Sequence, residues 1–266
     1  MAQLAQYHGN CHCGAFKFTL KTPELKEVYA CNCSSCSKKG YLWTLPAKIE
    51  DFAVVNGDET ATLSIYECGK RTSAHKFCPT CGTAVMVRMH SAENPIGINL
   101  RALSDLDLDS LPVLMNEAAN LEPLYQVPEP LATGVVPEGM TVYHGSCHCG
   151  AIRYTLLSPH KIATATECNC SICSRNASLW IYPLTTTARF EGVDNLTEYT
   201  FASNLVYHGF CKICGVPIRA RFVGDSDTGL DLRTMRMNLR TMNGLDLSGL
   251  EIKKVDGRAT LPAYEV

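Results

Sequence analysis

Cysteine is the residue type that carries the most chemistry in this chain, and its spacing is repeated. Fifteen cysteines occur among 266 residues, and fourteen of them form two sets with the same spacings. Each set has a C-x-C pair, a C-x-C-x2-C triplet and a C-x2-C pair followed by glycine. The first set is Cys11 and Cys13; Cys31, Cys33 and Cys36; Cys78 and Cys81. The second set is Cys147 and Cys149; Cys168, Cys170 and Cys173; Cys211 and Cys214. Thiolates clustered in this way are typical zinc ligands.

Seven ligands per set do not make two closed four-cysteine sites, but they divide into four and three. The C-x2-C-Gly turn aims two sulfurs at one ion about 2.3 Å away, and its partner pair is either the C-x-C pair or part of the triplet. Three sulfurs within six residues can surround one ion locally. We therefore assign the two pairs of each set to a closed structural zinc site. The triplets, Cys31, Cys33, Cys36 and Cys168, Cys170, Cys173, are assigned to open catalytic zinc sites. This predicts up to two Zn²⁺ per domain and four per chain.

Two other interpretations of the cysteines stay open. All seven of a set are structural if a histidine or aspartate supplies an eighth ligand, and His12, His75, His148 and His208 are available for that. Disulfides are disfavoured, because a cysteine-rich chain with no secretory signal points to a reducing compartment. Cys68 aligns with Phe201 in the repeat and is predicted to be a small apolar filler.

The electrostatics of a triplet site restrict its chemistry. Three thiolates leave Zn²⁺ with a net negative formal charge, so it is a weaker Lewis acid than zinc held by three histidines. Hydrolysis by metal-bound hydroxide is therefore disfavoured. A soft, thiolate-rich zinc suits a sulfur ligand instead and holds an incoming thiol as thiolate near neutral pH.

The whole chain, and not only its cysteines, is an internal repeat. The segment from Tyr7, YHGNCHCGAFKFTL, matches YHGSCHCGAIRYTL from Tyr143 at ten of fourteen positions. Three further blocks recur in the same order, starting at Cys31 and Cys168, His75 and His208, and Asn99 and Asn238. We predict two zinc domains, 1–120 and 140–266, joined by a proline-rich, semi-rigid linker over 121–139.

Within each copy the hydrophobic period is two. Phe16, Phe18 and Leu20 alternate with polar residues, as Ile152, Tyr154 and Leu156 do in the second copy, which predicts half-buried strands. Further strands are predicted over 62–66, 84–89 and 96–100 with their partners, and one or two helical turns over 104–111. Long amphipathic helical patterns are absent. The expected fold class is all-β, with two tandem zinc domains and little helix.

Composition limits the partners. A formal net charge of -2 and a pI near 6.4 argue against nucleic acid and an anionic membrane as main partners. No apolar run of about 18 residues and no secretory signal occurs. We expect a soluble, intracellular, cytoplasmic protein whose partner is a small molecule.

Taken together, the GxCHCGA, CNCSxC and FCxxCG motifs in both halves resemble the family of the glutathione-dependent formaldehyde-activating enzyme and centromere protein V. The resemblance covers almost all of both copies, although the tandem arrangement departs from the one-domain pattern and suggests a fungal-type relative. It implies a β-tent zinc fold, with a structural zinc on the outer pairs and a catalytic zinc on the triplet. It also implies carbon–sulfur lyase chemistry on a glutathione-like thiol or its aldehyde adduct. The alternatives are a non-catalytic zinc module that binds a partner and a redox-responsive or metal-buffering protein.

Several other residues are candidates for the sites. Trp43 and Trp180 are predicted in the core rather than in a pocket wall, and Asn32 and Asn169 to satisfy backbone groups rather than bind substrate. His75 and His208 are candidate acids or bases near the second knuckle, although a lone histidine is more often structural. Lys38, Lys39 and Arg175 are predicted to be solvated rather than to meet a glutathione carboxylate. Because KKGY at Lys38 is replaced by RNAS at Arg175, the two pockets are expected to differ, with the first copy active and the second mainly supportive.

Overall fold

The computed structural model describes residues 3–44, 47–104, 106–224, 229–259 and 263–266. The chain divides into two compact units. The first comprises 1–125, 175–177 and 266, and the second comprises 126–174 and 178–265.

The first unit consists mainly of short strands. They are β1 (Leu4–Asn10), β2 (Lys17–Pro23), β3 (Val28–Cys31), β4 (Leu42–Trp43), β5 (Phe52–Asn56), β6 (Ser64–Tyr66), β7 (Ser73–Phe77), β8 (Ala84–Met89), β9 (Ile96–Ile98) and β10 (Val113–Asn116). Its single described α-helix, α1 (Ser34–Lys39), follows β3, and 3-10 turns cover Ile49–Asp51, Leu100–Ala102 and Leu108–Ser110.

The second part of the chain repeats this order. Its strands are β11 (Thr141–Ser146), β12 (Arg153–Ser158), β13 (Thr164–Cys168), β14 (Leu179–Ile181), β15 (Ala188–Glu191), β16 (Leu196–Tyr199), β17 (Val206–Cys211), β18 (Pro217–Phe222), β19 (Met235–Asn238) and β20 (Glu251–Val255). The helix is α2 (Ser171–Asn176), and 3-10 turns cover Thr185–Thr187, Val193–Asn195, Leu239–Thr241 and Gly257–Ala259. Two six-residue helices among the described residues confirm the all-β prediction.

The sheets of the two copies have the same strand order. In the first copy they are β1-β2-β5, β10-β3-β4 and β6-β7-β8-β9. In the second copy the latter two join into one seven-stranded sheet, β16-β17-β18-β19-β14-β13-β20, beside β11-β12-β15. The join is the pairing of Trp180 with Asn238, and the first copy has an isolated bridge between Trp43 and Asn99 at the same point. β10 and β20 run parallel to β3 and β13, and the other paired strands are antiparallel.

The apolar residues of the predicted period-two alternation lie in the core. Phe16, Phe18 and Leu20 are at most 1% exposed, and so are Ile152, Tyr154 and Leu156. Strand β8 covers the predicted 84–89, whereas the predicted strand over 96–100 ends at Ile98 because a 3-10 turn begins at Leu100. The helical turn expected over 104–111 is the 3-10 turn at Leu108–Ser110. Asp105 lies outside the described residues.

The glycine of the repeated YHG motif has a packing role. Gly9 pairs with Phe18 across β1 and β2, and a Cβ at Gly9 would lie 2.3 Å from the Phe18 ring. Gly145 and Tyr154 repeat this arrangement at 2.1 Å. Only glycine lets the partner ring lie flat across the neighbouring backbone, so the motif sets the packing of the strand that delivers the first cysteine pair.

The segment between the copies contains neither helix nor strand over 117–140, as its proline and glycine content predicts. Leu131 within it is buried, and 132–136 line a shallow cavity of about 160 Å³ against Thr155, Leu157 and 186–189. The domain bounds and the stiffness of the linker stay predictions. No helix among the described residues is both long and apolar enough to cross a membrane.

A buried charge cluster gives the first testable prediction. The Glu59 carboxylate lies 2.6 Å from Lys76 Nζ and 2.5 Å from Arg88 Nη2, and the Lys76 side chain is 7% exposed. Burial opposes ionisation of Glu59, but the hydrogen bonds from Arg88 and Lys76 prevail and lower its pKa. The pKa of Glu59 is lower in the folded chain than in the unfolded chain, where it is about 4.3. The Glu59 carboxylate therefore stabilises the fold at pH values above about 4.3, and this stabilisation is lost as the pH falls through the pKa of the folded state.

We therefore expect Glu59→Gln to cost about 2–4 kcal/mol of unfolding free energy at pH 7, because it leaves the Lys76 ammonium buried beside a neutral amide. The difference from the wild type should shrink below about pH 4. Denaturant unfolding at several pH values measures both effects. Glu50→Gln is the matched control, since Glu50 and Lys48 form an exposed pair 3.5 Å apart and should contribute less than about 0.5 kcal/mol. A constant difference from pH 3 to pH 7 would contradict the assignment.

Candidate metal centres

The two cysteine pairs of each set meet at the end of a strand hairpin. Cys11 and Cys13 follow β1, and Cys78 and Cys81 sit in the turn between β7 and β8. Each pair lies in a tight turn closed by a backbone hydrogen bond, from Gly14 N–H to the Cys11 carbonyl and from Gly82 N–H to the Cys78 carbonyl, both 2.9 Å. Gly14 and Gly82 have φ values of 75° and 74°, which a β-carbon would strain. The turn glycines therefore shape both halves of the site.

The sulfur geometry of these quartets fits a tetrahedral ion. All four sulfurs of Cys11, Cys13, Cys78 and Cys81 lie within 4.8 Å of one another, with Cys13 Sγ 3.6 Å from both Cys11 Sγ and Cys78 Sγ. Zn–S bonds of about 2.3 Å in a tetrahedron place sulfurs about 3.8 Å apart. The second quartet consists of Cys147, Cys149, Cys211 and Cys214, with separations of 3.4 Å and 3.7 Å from Cys149 Sγ. Both donor sets suit a soft metal ion.

Backbone groups support the quartet sulfurs. The Phe16 and Ile152 N–H groups donate to Cys11 Sγ and Cys147 Sγ, both at 3.3 Å. Such bonds stabilise negative charge on sulfur. Hydrogen bonding between Cys11 and Cys13 raises the pKa of the Cys11 thiol and lowers that of Cys13. The reason is that a protonated thiol stabilises a neighbouring thiolate, so the crowded sulfurs do not all ionise together.

The triplets form separate clusters within the same units. The sulfurs of Cys31, Cys33 and Cys36 lie within 4.8 Å of one another, as do those of Cys168, Cys170 and Cys173. Cys31 ends β3, and Cys33 is the N-cap of α1, where its sulfur accepts a 3.5 Å hydrogen bond from Cys36 N–H. Strand end, cap and first helical turn thus gather three sulfurs within six residues. In the described part of the chain, no histidine, aspartate, glutamate or further cysteine joins either triplet.

Hydrogen bonds within each triplet shift the pKa values of its three thiols in opposite directions. Hydrogen bonds from Cys31 and Cys36 lower the pKa of Cys33, and a charge on His75 lowers it further. In the second copy, hydrogen bonds from Cys170 and Cys173 lower the pKa of Cys168 instead. The third thiol, Cys36 or Cys173, has a raised pKa because it donates to the other two. The charge therefore belongs to the triplet as a unit rather than to one fixed residue.

Aromatic residues surround His75 in the first copy. The His75 ring stacks on Tyr41 with centroids 5.6 Å apart and also contacts Trp43 at 5.8 Å. In the second copy Trp180 is buried, and its indole N–H donates to Cys173 Sγ over 3.2 Å. Trp180 is thus both a core residue, as predicted, and a neighbour of the sulfurs, while Trp43 is only half-buried.

Both copies of the repeat match one known protein family. A family model described as glutathione-dependent formaldehyde-activating enzyme matches residues 6–115 and 142–238. The chain belongs to this family. A Halomonas elongata protein provisionally named glutathione-dependent formaldehyde-activating enzyme is 52% identical over 33 residues, which are 12% of this chain and 20% of that relative. The crystal structure of a Rhodobacter sphaeroides protein is 30% identical, covers 40% of this chain and 99% of its own, and has a TM-score of 0.35.

Membership of the formaldehyde-activating enzyme family applies to both copies, which confirms the resemblance and the tandem arrangement. The shared stretch covers only about a fifth of the Halomonas relative.

The asparagines inside the triplets hold the segment that follows the parallel edge strand. Asn32 Oδ1 accepts from Ala118 N–H at 2.6 Å, and the Asn32 amide donates to Glu117. Asn169 Oδ1 accepts from Arg258 N–H at 3.0 Å, and its amide donates to Asp256 at 2.9 Å. These contacts agree with the predicted backbone-satisfying role.

The prediction that the lysines after the first triplet are solvated was wrong. Lys38 and Lys39 are 7% and 3% exposed, and Arg175 is buried too. Lys39 Nζ lies 5.3 Å from the ring centre of Tyr41, 5.2 Å from Tyr66 and 5.7 Å from Phe77. Sequence spacing did not reveal this, because the rings come from three separate strands and loops. Cation–π contact accommodates a buried ammonium that the sequence alone assigns to water.

The histidines offered as extra ligands lie outside the sulfur clusters. His12 is 1% exposed, and burial lowers its pKa to about 4. His75, His148 and His208 are also buried. All fifteen cysteines lie in the described part of the chain, and none is disulfide-bonded there.

Proposed function

We propose that this protein is a zinc-dependent carbon–sulfur lyase that acts on the adduct of a small thiol, such as glutathione, with an aldehyde. The observation that carries the proposal is the division of each set of cysteines into a quartet and a separate triplet. A quartet of thiolates completes a tetrahedron, whereas a triplet leaves one coordination position for a substrate sulfur. Family membership of both copies supports the same chemistry.

The residues would divide the work as follows. Cys11, Cys13, Cys78 and Cys81, with their second-copy equivalents, would hold a structural ion. The triplet cysteines would hold the catalytic ion, which when bound stabilises an incoming thiol as thiolate. In the synthetic direction the C–S bond forms as sulfur attacks the aldehyde carbon, and the carbonyl oxygen takes up a proton. The lyase direction breaks that bond and returns the proton to sulfur.

His75 is placed to take part in the proton transfer. It is buried, it stacks on Tyr41, and it is close enough to Cys33 for its charge to lower that thiol's pKa. We propose that His75 orients or exchanges the proton that moves between the substrate sulfur and oxygen. The free thiols also favour the reducing, cytoplasmic compartment expected from the sequence.

Zinc stoichiometry tests the proposal directly. We expect about four zinc ions per wild-type chain and about two in the Cys33→Ser/Cys170→Ser double variant, which should stay folded because both quartets remain. Glutathione binding, measured by calorimetry, should be lost in the variant. Elemental analysis and circular dichroism provide the readouts.

Two zinc ions in the wild type, or no glutathione binding by either protein, would instead support a non-catalytic zinc module. A Cys68→Ser variant is the matched control, because Cys68 is a cysteine outside all four clusters and should retain about four ions.

A further inference from the structure

The surroundings of His75 and His208 differ between the two copies at two equivalent positions. Tyr66 pairs with His75 in the first copy, and Tyr199 pairs with His208 in the second. Two residues after each tyrosine stand Cys68 and Phe201. The strand register therefore confirms that these two residues occupy the same place in the two copies.

The aromatic partner of the histidine changes sides between the copies. His75 stacks on Tyr41, with ring planes 5° apart. His208 stacks on Phe201, with centroids 5.9 Å apart and planes at 27°. The second-copy equivalent of Tyr41 is Ser178, and the first-copy equivalent of Phe201 is Cys68. The second copy thus lacks the tyrosine ring that follows the helix in the first copy, and it has instead a phenylalanine ring in the loop between β16 and β17.

Phe201 packs against a buried cluster that includes one cysteine of the second triplet. Cys173, Trp180, Ile172 and Ala220 form a buried cluster, and Phe201, Cys168 and Cys170 pack against it. Tyr199 stacks behind Phe201 with centroids 5.9 Å apart. Ser178 is 2% exposed, so the missing tyrosine ring does not open the other side to solvent.

The segment after the edge strand is one residue longer in the second copy and lies against the second triplet. Asn32 N–H and Asn169 N–H bond to equivalent carbonyls, those of Asn116 and Val255. Their side-chain oxygens accept from Ala118 and Arg258, so the second copy has one more residue in between. That extra length places Gly257 against the sulfurs, where a Cβ would lie 2.5 Å from Cys168 Sγ.

Both triplets nevertheless keep two partly exposed cysteines. Access to the second triplet is therefore expected to be narrowed rather than closed. We expect the two triplets to differ in the size of the ligand that they admit. The charges near position 68 also favour an anionic ligand in the first copy, because the hairpin turn after Cys68 carries exposed Lys70 and Arg71. The corresponding turn after Phe201 carries the uncharged 202–204. An anionic, peptide-sized thiol suits the first copy.

We propose that the residue at position 68 or 201 determines which thiols reach each triplet. Cys68 admits a thiol of glutathione size to Cys31, Cys33 and Cys36, and Phe201 restricts the second triplet to much smaller thiols. This inference rests on the proposed function for the identity of the ligand. The size restriction at the second triplet depends on the packing of Phe201 and not on the identity of the ligand.

Limited alkylation of the zinc-loaded full chain tests the size gate. Iodoacetamide and a bulky uncharged N-aryl iodoacetamide are applied in parallel, and mass spectrometry reports the rate at each triplet. The ratio of small-reagent to large-reagent rate should be at least about tenfold higher at the second triplet than at the first. Phe201→Ala should lower the second ratio, and Cys68→Phe should raise the first.

Matched controls are Phe201→Tyr, which keeps the ring, and Cys68→Ala, which keeps the first wall small; both should retain the wild-type ratios. Thermal melts verify folding of every variant. Equal ratios at the two wild-type triplets, or unchanged ratios in folded Phe201→Ala and Cys68→Phe, would overturn the gate.

Glutathione titrations separate the gate from the proposed function. Calorimetry should detect binding to a Cys170→Ser chain and at least about tenfold weaker binding to a Cys33→Ser chain. If alkylation shows the size difference but glutathione binds neither chain, the gate stands and the lyase proposal fails. If glutathione binds both chains equally, the assignment of glutathione to the first copy fails.

Discussion

Replacing Cys78 by serine should unfold the first copy. Cys78 is fully buried, and its sulfur lies 3.6 Å from Cys13 Sγ within the first quartet. A structural zinc contributes about 10–16 kcal/mol to the folding of a small domain, which matches or exceeds a typical net stability of about 5–15 kcal/mol. Loss of one thiolate weakens the ion's hold and leaves a buried hydroxyl in place of a ligand.

The expected observations are a loss of at least one zinc ion per chain and disappearance of one of the cooperative unfolding transitions. Elemental analysis and a thermal melt followed by circular dichroism measure them. Cys68→Ser should change the unfolding free energy by less than about 1 kcal/mol, because Cys68 is half-buried and outside every cluster. A Cys78→Ser protein with wild-type zinc content and melting temperature would disprove the structural role of the quartet.

Replacing Cys33 by serine should remove most of the turnover while the chain stays folded. Cys33 is the N-cap of a six-residue helix, and serine is itself a good N-cap, so the local backbone is preserved. The triplet loses one of its three thiolates, and with it most of its affinity for a soft metal. We expect kcat/KM for the thiol–aldehyde adduct to fall by at least about 100-fold.

Cys170→Ser is the matched change in the second copy. If Phe201 restricts that site, this variant should retain most of the activity towards the glutathione adduct. Steady-state kinetics on both variants, with zinc content and melting temperature measured in parallel, distinguish the copies. Equal losses in two folded variants would show that both triplets turn over the same substrate, and would remove the predicted asymmetry.

The strands were predictable where one face of a sheet is buried. The alternation at Phe16, Phe18 and Leu20 determined which face of β2 packs inward, because successive strand residues point to opposite sides. The end of β9 at Ile98 was not predictable, since the turn that begins at Leu100 depends on contacts of Asn99 with Leu42 and Ala84. Those partners are distant in sequence.

The sequence by itself determined that the chain is a duplicated, cysteine-rich all-β protein, and the short spacing within each motif predicted the cysteine pairs and triplets. The tertiary structure decided which two pairs meet in a quartet, because 65 residues separate Cys13 from Cys78. Only the tertiary structure decided the surroundings of the triplets: the aromatic cage of Lys39, the stacking of Tyr41 or Phe201 on a histidine, and the position of Gly257 against Cys168. The physical reason is that these walls come from strands and loops far apart in the chain, whose proximity is set by sheet register and packing rather than by local spacing.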